Sequence, residues 1–249
     1  MRHRPVVAVL FVILTLFATP LVVASPGTFG RNLAFADSRS LNWSGYAVAA
    51  SASTVTVASG SWVVPKVTCS GGLSYASFWV GIDGFNSGSV EQAGTLGQCF
   101  AGSPSYSAWY EFYPAASVTI STIAVKPGDA FTSTISYSGS TDTFTVTITD
   151  TTTGKTYSTT APGSGAQRSS AECIAERPSI GGSITRLANF GTGSFSRCTA
   201  TISGASGAIG TFSGVSSIDM VSKSGKILAS TSSIGTDKAS FSVTWKGSN

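Results

Sequence analysis

Residues 78–94 read F-W-V-G-I-D-G-F-N-S-G-S-V-E-Q-A-G. The stretch opens as the apolar strand Phe78-Trp79-Val80, breaks at the turn residues Gly81, Asp83 and Gly84, and resumes as a strand at Val90. Two strands joined by a turn-rich loop make a hairpin. Cys69 and Cys99 stand outside it on either side, where a disulfide would close its base. Gln92 lies in the returning strand beside Ala93 and Gly94, small residues that let another chain approach closely. Glutamine does not titrate, but its NH₂ can donate to a developing oxyanion and its carbonyl can hold a water.

The same grammar continues outward from the hairpin. Residues 54–64 alternate and stop at Pro65, and residues 107–113 form an aromatic strand closed by Pro114. The period of two puts Trp109, Glu111 and Tyr113 on one face of that strand, with Tyr110 and Phe112 on the other. Further strands are expected over 118–125, 130–137, 143–149, 156–160, 172–176, 184–190, 198–202, 217–221, 227–230 and 239–245, separated by turns such as Pro127-Gly128-Asp129 and Ser138-Gly139-Ser140. Charged residues are 10% of the 249, hydrophobic residues 42%, and there are 28 glycines, which suits many short strands and tight turns and not a disordered chain. Neither a sequence repeat nor an interior linker divides the chain. The reading is one all-β domain, an antiparallel β-sandwich.

The N-terminus has the layout of a secretory signal peptide. Arg2, His3 and Arg4 precede the apolar run 6–23, and Val22-Val23-Ala24 offers cleavage after Ala24, with a second site at Leu33-Ala34-Phe35-Ala36. The expected organisation is a leader over 1–24, a linker or short propeptide over 25–40 and the sandwich over 41–249. An uncleaved leader would instead be a membrane anchor. Export makes disulfides the natural state of the four cysteines. Of three pairings, Cys69–Cys99 and Cys173–Cys198 are expected; the alternative for Cys173 is a buried thiol.

Composition also excludes. The net charge of +4 falls to +2 once Arg2 and Arg4 leave with the signal, and the remaining cations form no run, so nothing argues for nucleic acid. His3 is the single histidine and it too leaves with the signal. That removes Ser-His-Asp and Cys-His machinery and histidine metal sites. The chemistry must come from carboxylates, amides, hydroxyls or lysines.

Most of the eleven acidic residues read as turn or strand-end caps: Asp37, Asp129, Asp142, Asp150, Asp219 and Asp237, with Asp83 in an Asx turn. Glu91 precedes Gln92 and faces away from it. Glu111, Glu172 and Glu176 sit within strands among apolar neighbours, where an unpartnered carboxylate is expensive. Glu172, Ile174 and Glu176 share a face, opposite Ala171, Cys173 and Ala175. The two glutamate Cα atoms are about 13 Å apart at roughly 3.3 Å per residue, too far for a close dyad.

Five segments in order then resemble the glutamic peptidases, the eqolisin family: Asn42-Trp43-Ser44-Gly45-Tyr46; Phe78-Trp79-Val80-Gly81-Ile82-Asp83-Gly84; Glu91-Gln92-Ala93-Gly94; Ala108-Trp109-Tyr110-Glu111-Phe112-Tyr113-Pro114; and Ala171-Glu172-Cys173-Ile174-Ala175-Glu176. The resemblance covers nearly all of residues 42–245. Cys173 and Arg177-Pro178 depart from the fungal pattern and are similar to the bacterial branch. The resemblance implies a sandwich of two large sheets, jelly-roll or concanavalin-like, and a secreted acid-acting endopeptidase that needs no cofactor. It implies Gln92 and Glu176 as the catalytic pair, with Trp79, Trp109, Glu111 and Tyr113 lining the substrate cleft. Glu176 would serve as general base and then acid, with activity lost by neutral pH, and Glu172 is its rival for that role. Polypeptide substrates are the expected partners of a monomeric chain. The competing readings are a glycoside hydrolase using Glu111 and Glu176, and a lectin-like sugar-binding module.

Overall fold

The computed structural model describes residues 36–248 as eighteen strands and one 3-10 turn, Ile209–Thr211, with no α-helix among the described residues. The leader and residues 25–35 lie outside the described residues. In chain order the strands are β1 (Ala36–Ser40), β2 (Trp43–Ala49), β3 (Val55–Val63), β4 (Ser74–Ile82), β5 (Val90–Phe100), β6 (Ser103–Tyr113), β7 (Val118–Ile120), β8 (Ala130–Ser138) and β9 (Thr143–Asp150). They continue with β10 (Lys155–Pro162), β11 (Ser170–Glu176), β12 (Ser179–Ile180), β13 (Ser183–Ile184), β14 (Thr192–Ile202), β15 (Ala205–Ala208), β16 (Val215–Val221), β17 (Ile227–Thr231) and β18 (Phe241–Trp245).

Hydrogen bonding runs along one path, β10-β9-β8-β3-β14-β18-β17-β16-β2-β11-β4-β5-β6-β7. The ladders on that path are antiparallel, whereas β1 joins β16 in parallel. The path folds back on itself, so that β3, β8, β9 and β14 pack over β4, β5 and β11. Two facing layers result, the β-sandwich that the alternation predicts. The main core between them holds Tyr46, Trp62, Phe78, Phe131, Phe144 and Phe195, all buried. Phe195 stacks on Phe78 at 5.4 Å and on Phe241 at 5.1 Å between ring centroids. Each fully buried side chain of this size contributes about 1.5–3 kcal/mol.

β11 is central to one layer, between β2 and β4, and all seven of its residues are buried. Ala171, Cys173 and Ala175 face the main core, while Ile174 belongs to a second cluster on the opposite face with Trp43, Trp79, Val90, Trp109 and Ile218. Both expected disulfides are present: Cys69–Cys99 closes the hairpin base, and Cys173–Cys198 joins β11 to β14 across the core. The buried-thiol alternative for Cys173 therefore falls.

Three expectations change. Of residues 118–125 only Val118–Ile120 pair with β6, and the buried Ile120 and Ile123 are three apart, not two. Residues 184–190 do not form a continuous strand. Ile184 ends the short β13, paired with β12; Leu187, Ala188 and Phe190 are apolar because they are buried, and Leu187 and Asn189 make isolated bridges to Tyr75 and Thr68. Ala36–Ser40, expected within a linker, is a strand on β16.

Gly60 on β3 makes room for the cross-layer disulfide. A methyl group at Gly60 would stand 2.7 Å from Cys173 Sγ and 3.0 Å from Val80 Cγ2. Gly60→Ala is expected to destabilise the protein by about 1–3 kcal/mol through overpacking. Thermal melting under non-reducing conditions checks this, and an unchanged Tm would contradict the packing described.

Candidate active site

Strand register gathers the candidate residues into rows across one face. Residues paired directly on neighbouring strands point to the same side of a sheet. One row runs Ala47–Glu172–Gly81–Gln92–Glu111 across β2, β11, β4, β5 and β6. The next runs Gly45–Ile174–Trp79–Gly94–Trp109, and the third Trp43–Glu176–Ser77–Leu96–Ser107. Gly81 is needed here because a methyl group on it would come within 2.9 Å of Trp79 Cζ3 and 3.3 Å of Gln92 Cβ.

Gln92, Glu111 and Glu176 line one small cleft, together with Ser77, Leu96, Trp109 and Pro178. Glu172 is not among its lining residues. The volume open to water centres is about 10 Å³, room for about one water. Glu176 is held at both oxygens: Asn42 Nδ2 donates to Oε1 at 3.0 Å and Trp79 Nε1 donates to Oε2 at 2.8 Å. Gln92 Nε2 donates to Glu111 Oε2 at 2.6 Å. Gln92 Oε1 and Glu111 Oε1 are buried without a protein partner, which leaves acceptors for a water or substrate.

The four aromatic and acidic residues expected to line the cleft take different positions. Trp109 and Glu111 do line it, and Trp109 Nε1 is anchored on Ser77 Oγ at 3.1 Å. Trp79 is fully buried beneath the face and packs edge-on to Trp43, with its polar atom on Glu176. Tyr113 is half-buried against the same aromatic cluster. Asn42 carried no assigned role in the sequence; its only signal was its place at the head of the Asn-Trp-Ser-Gly-Tyr segment.

Burial raises the carboxyls of this face. Desolvation lifts Glu176, and the hydrogen bonds from Trp79 and Asn42 pull it back in part. Desolvation lifts Glu111 as well, with repulsion from Glu176 adding to it and Gln92 opposing. The two environments therefore separate: donors favour charge on Glu176, and repulsion favours a proton on Glu111.

A second group of carboxyls surrounds the end of the hairpin. Asp83, expected in a local Asx turn, is fully buried at φ 70° and ties two loops together. Its carboxylate accepts from the backbone N–H of Arg168 at 2.7 Å and of Ser169 at 2.8 Å, and from Ser89 Oγ at 3.2 Å. Glu91 is pushed up to about 8 by burial and then by Asp83. Glu172, 1% exposed, is raised well above the glutamate range, first by burial and further by Asp83 and Glu91, with Ser170 and the Phe85 backbone opposing.

This fold recurs in solved structures of glutamic peptidases. Scytalido-glutamic peptidase bound to a transition-state analog inhibitor superposes with a TM-score of 0.70 at 24% identity, covering 82% of this chain and 98% of that one. SCP-B, an eqolisin in complex with the tripeptide Ala-Ile-His, gives 0.64 at 21% identity over 82% of this chain and 98% of that one. Aspergilloglutamic peptidase from Aspergillus niger gives 0.61 at 29% identity over 70% of this chain and 99% of that one. The architecture is thus that of a glutamic peptidase. The chain belongs to the Peptidase A4 family, whose profile matches residues 41–245, as the five ordered motifs implied. Aspergillopepsin-2 of Aspergillus niger is 29% identical over 188 residues, 66% of this chain and about two thirds (66%) of that protein.

Glu91, Glu172 and the cleft pair each bind a proton more tightly in the folded protein than in the unfolded chain. The stability this confers is fully present below the ordinary glutamate value and is lost as pH rises through the raised folded values. Tm is therefore expected to be highest in acid and to fall between about pH 5 and pH 8, with Glu172→Gln flattening the fall. Melting curves across that range test it, and a Tm indifferent to pH would refute the protonated state of these groups.

Proposed function

We propose that this protein is a secreted endopeptidase that hydrolyses polypeptides by a Glu176/Gln92 pair acting on a water. The observation that carries the reading is the cleft itself. It places a doubly held carboxylate, a carboxamide with an unpartnered oxygen and a second carboxyl around room for one water. Ionised Glu176 takes a proton from that water as it attacks the peptide carbonyl, then returns it to the leaving nitrogen. Gln92 has one N–H committed to Glu111; its Oε1 holds the water and its second N–H faces the developing oxyanion. Protonated Glu111 keeps that amide in place.

Two carboxyls in one cleft titrate as a pair. The working state has one proton between them, charge on Glu176 and the proton on Glu111. Glu176, pushed up to about 7 by burial with its donors opposing, ionises before Glu111 as the pH rises, and a bound water donating to it would add to Asn42 and Trp79 in favouring that ionised form. Raising the pH ends the working state when Glu111 also ionises, and burial moves that limb above the value of an ordinary glutamate. The two disulfides suit an oxidising compartment, and no described helix is long and apolar enough to cross a membrane. Secretion follows from the signal at residues 1–24 in this reading.

The test is cleavage of an unfolded protein substrate from pH 2 to 8. Gln92→Ala should lower kcat by about 10²–10³-fold, and Glu176→Gln by about 10²–10⁴-fold, with both variants folded. Glu111→Gln should displace the high-pH limb of kcat/KM. Equal activity of wild type and Glu176→Gln would exclude the proposed base.

A further inference from the structure

Glu176 is usable as a base only if its carboxylate is held in one orientation, and half of that hold comes from a residue 134 positions away in sequence. We propose that Asn42 is a positioning residue for Glu176, and that Ser40, at the end of β1, fixes the orientation of the Asn42 amide. The proposal rests on the reading of Glu176 as the base.

The geometry determines which end of the amide meets the carboxylate. Asn42 is 3% exposed, so its polar atoms must find partners inside the protein. Ser40 Oγ accepts the backbone N–H groups of Asn42 at 3.3 Å and Trp43 at 3.1 Å. Its own proton is then directed to Asn42 Oδ1 at 3.1 Å. With Oδ1 occupied by a donor, Nδ2 points to Glu176 Oε1. The backbone repeats the connection: the Asn42 carbonyl accepts Arg177 N–H at 3.0 Å, extending the β2–β11 ladder one step past the Trp43–Glu176 pair. Among the described residues β1 pairs with β16 alone, so an edge strand there is coupled to the proposed base through one hydroxyl.

An N–H donor to a carboxylate stabilises its charged form, and the Asn42 bond acts on Glu176 in that direction. Facing Glu176 are Asn42 and Trp43 from the β2 side, Trp79 from β4, Gln92 from β5 and Glu111 from β6; Glu111 is the titratable one. Arg177, next along the chain, places its Nε on the Leu41 carbonyl at 2.7 Å.

The experiment uses the full chain with Asn42→Leu and Ser40→Ala, and Glu176→Gln as reference. Trp79 Nε1–H donates to the other oxygen of Glu176, so its indole resonance in a ¹⁵N-labelled sample reports the ionisation without requiring turnover. The wild-type resonance should titrate, and the titration should vanish in Glu176→Gln. Asn42→Leu should raise the midpoint by about half to one pH unit and lower kcat about tenfold with little change in KM; Ser40→Ala should do the same more weakly. A folded Asn42→Leu, judged by its melting curve, with the wild-type midpoint overturns the proposal, whether or not its activity falls. A raised midpoint in a protein that cleaves no peptide bond supports the positioning role and overturns the peptidase reading instead.

Discussion

A carboxylate carried on a strand with no exposed residue sets the terms for the rest of this molecule. Glu176 ends β11, which is flanked on both edges by β2 and β4 and covered on both faces. Such a group is tolerable only with donors on its oxygens or a proton of its own. Asn42, just before β2, and Trp79 on β4 supply the donors. Their placement depends on register, and register depends on the opposite face of β11. There Ala171, Cys173 and Ala175 pack on the main core, and Cys173 is bonded to Cys198 across the sandwich. A slip of one residue would turn Glu176 toward that core and Cys173 toward the opposite face. The disulfide thus fixes a face as well as stabilising the fold.

The outer surface of the second layer carries hydroxyls where the cleft face carries carboxyls. On the second layer, the rows Ser61–Thr132–Thr149–Thr156 and Ser59–Thr134–Thr147–Ser158 cross four strands without a charged residue. Hydroxyls in these rows bond to one another, Ser59 to Thr134 at 2.8 Å and Thr149 to Thr156 at 2.9 Å. A surface of hydroxyls keeps its hydrogen bonds and its charge when carboxylates protonate. Hydroxyls carry no charge in acid or at neutrality, so these rows add nothing to the self-repulsion that protonated carboxylates bring elsewhere.

Much of this was legible in the sequence because alternation is a local signal. The two faces of β6 and β11 could be read residue by residue, as could the hairpin and its flanking cysteines. The candidate pair and Glu111 came from ordered motifs. What was not legible depends on long-range contacts. Asn42 matters through a partner 134 residues away. Asp83 looked like a turn residue, but its carboxylate binds the backbone at Arg168 and Ser169. Trp79 looked like a cleft wall and is buried, its indole N–H turned to Glu176. Residues 36–40, Ala-Asp-Ser-Arg-Ser, carry no apolar alternation, since an edge strand held by backbone pairing to β16 needs none.

The glutamine at the centre of the cleft follows from the same constraint. Two carboxyls already share this small space, and each raises the proton affinity of the other. A third titrating group would add a further ionisation within the working range and blur the division of roles. A carboxamide offers both donor and acceptor at every pH, and its charge does not change when Glu176 gains or loses a proton. In the proposed mechanism only Glu111 then has to remain neutral, and the burial that raises it also makes the fold favour acid. Stability is greatest with both carboxyls protonated, whereas the proposed chemistry needs Glu176 to lose its proton before Glu111 does, and both demands follow from carboxyls enclosed in one sheet.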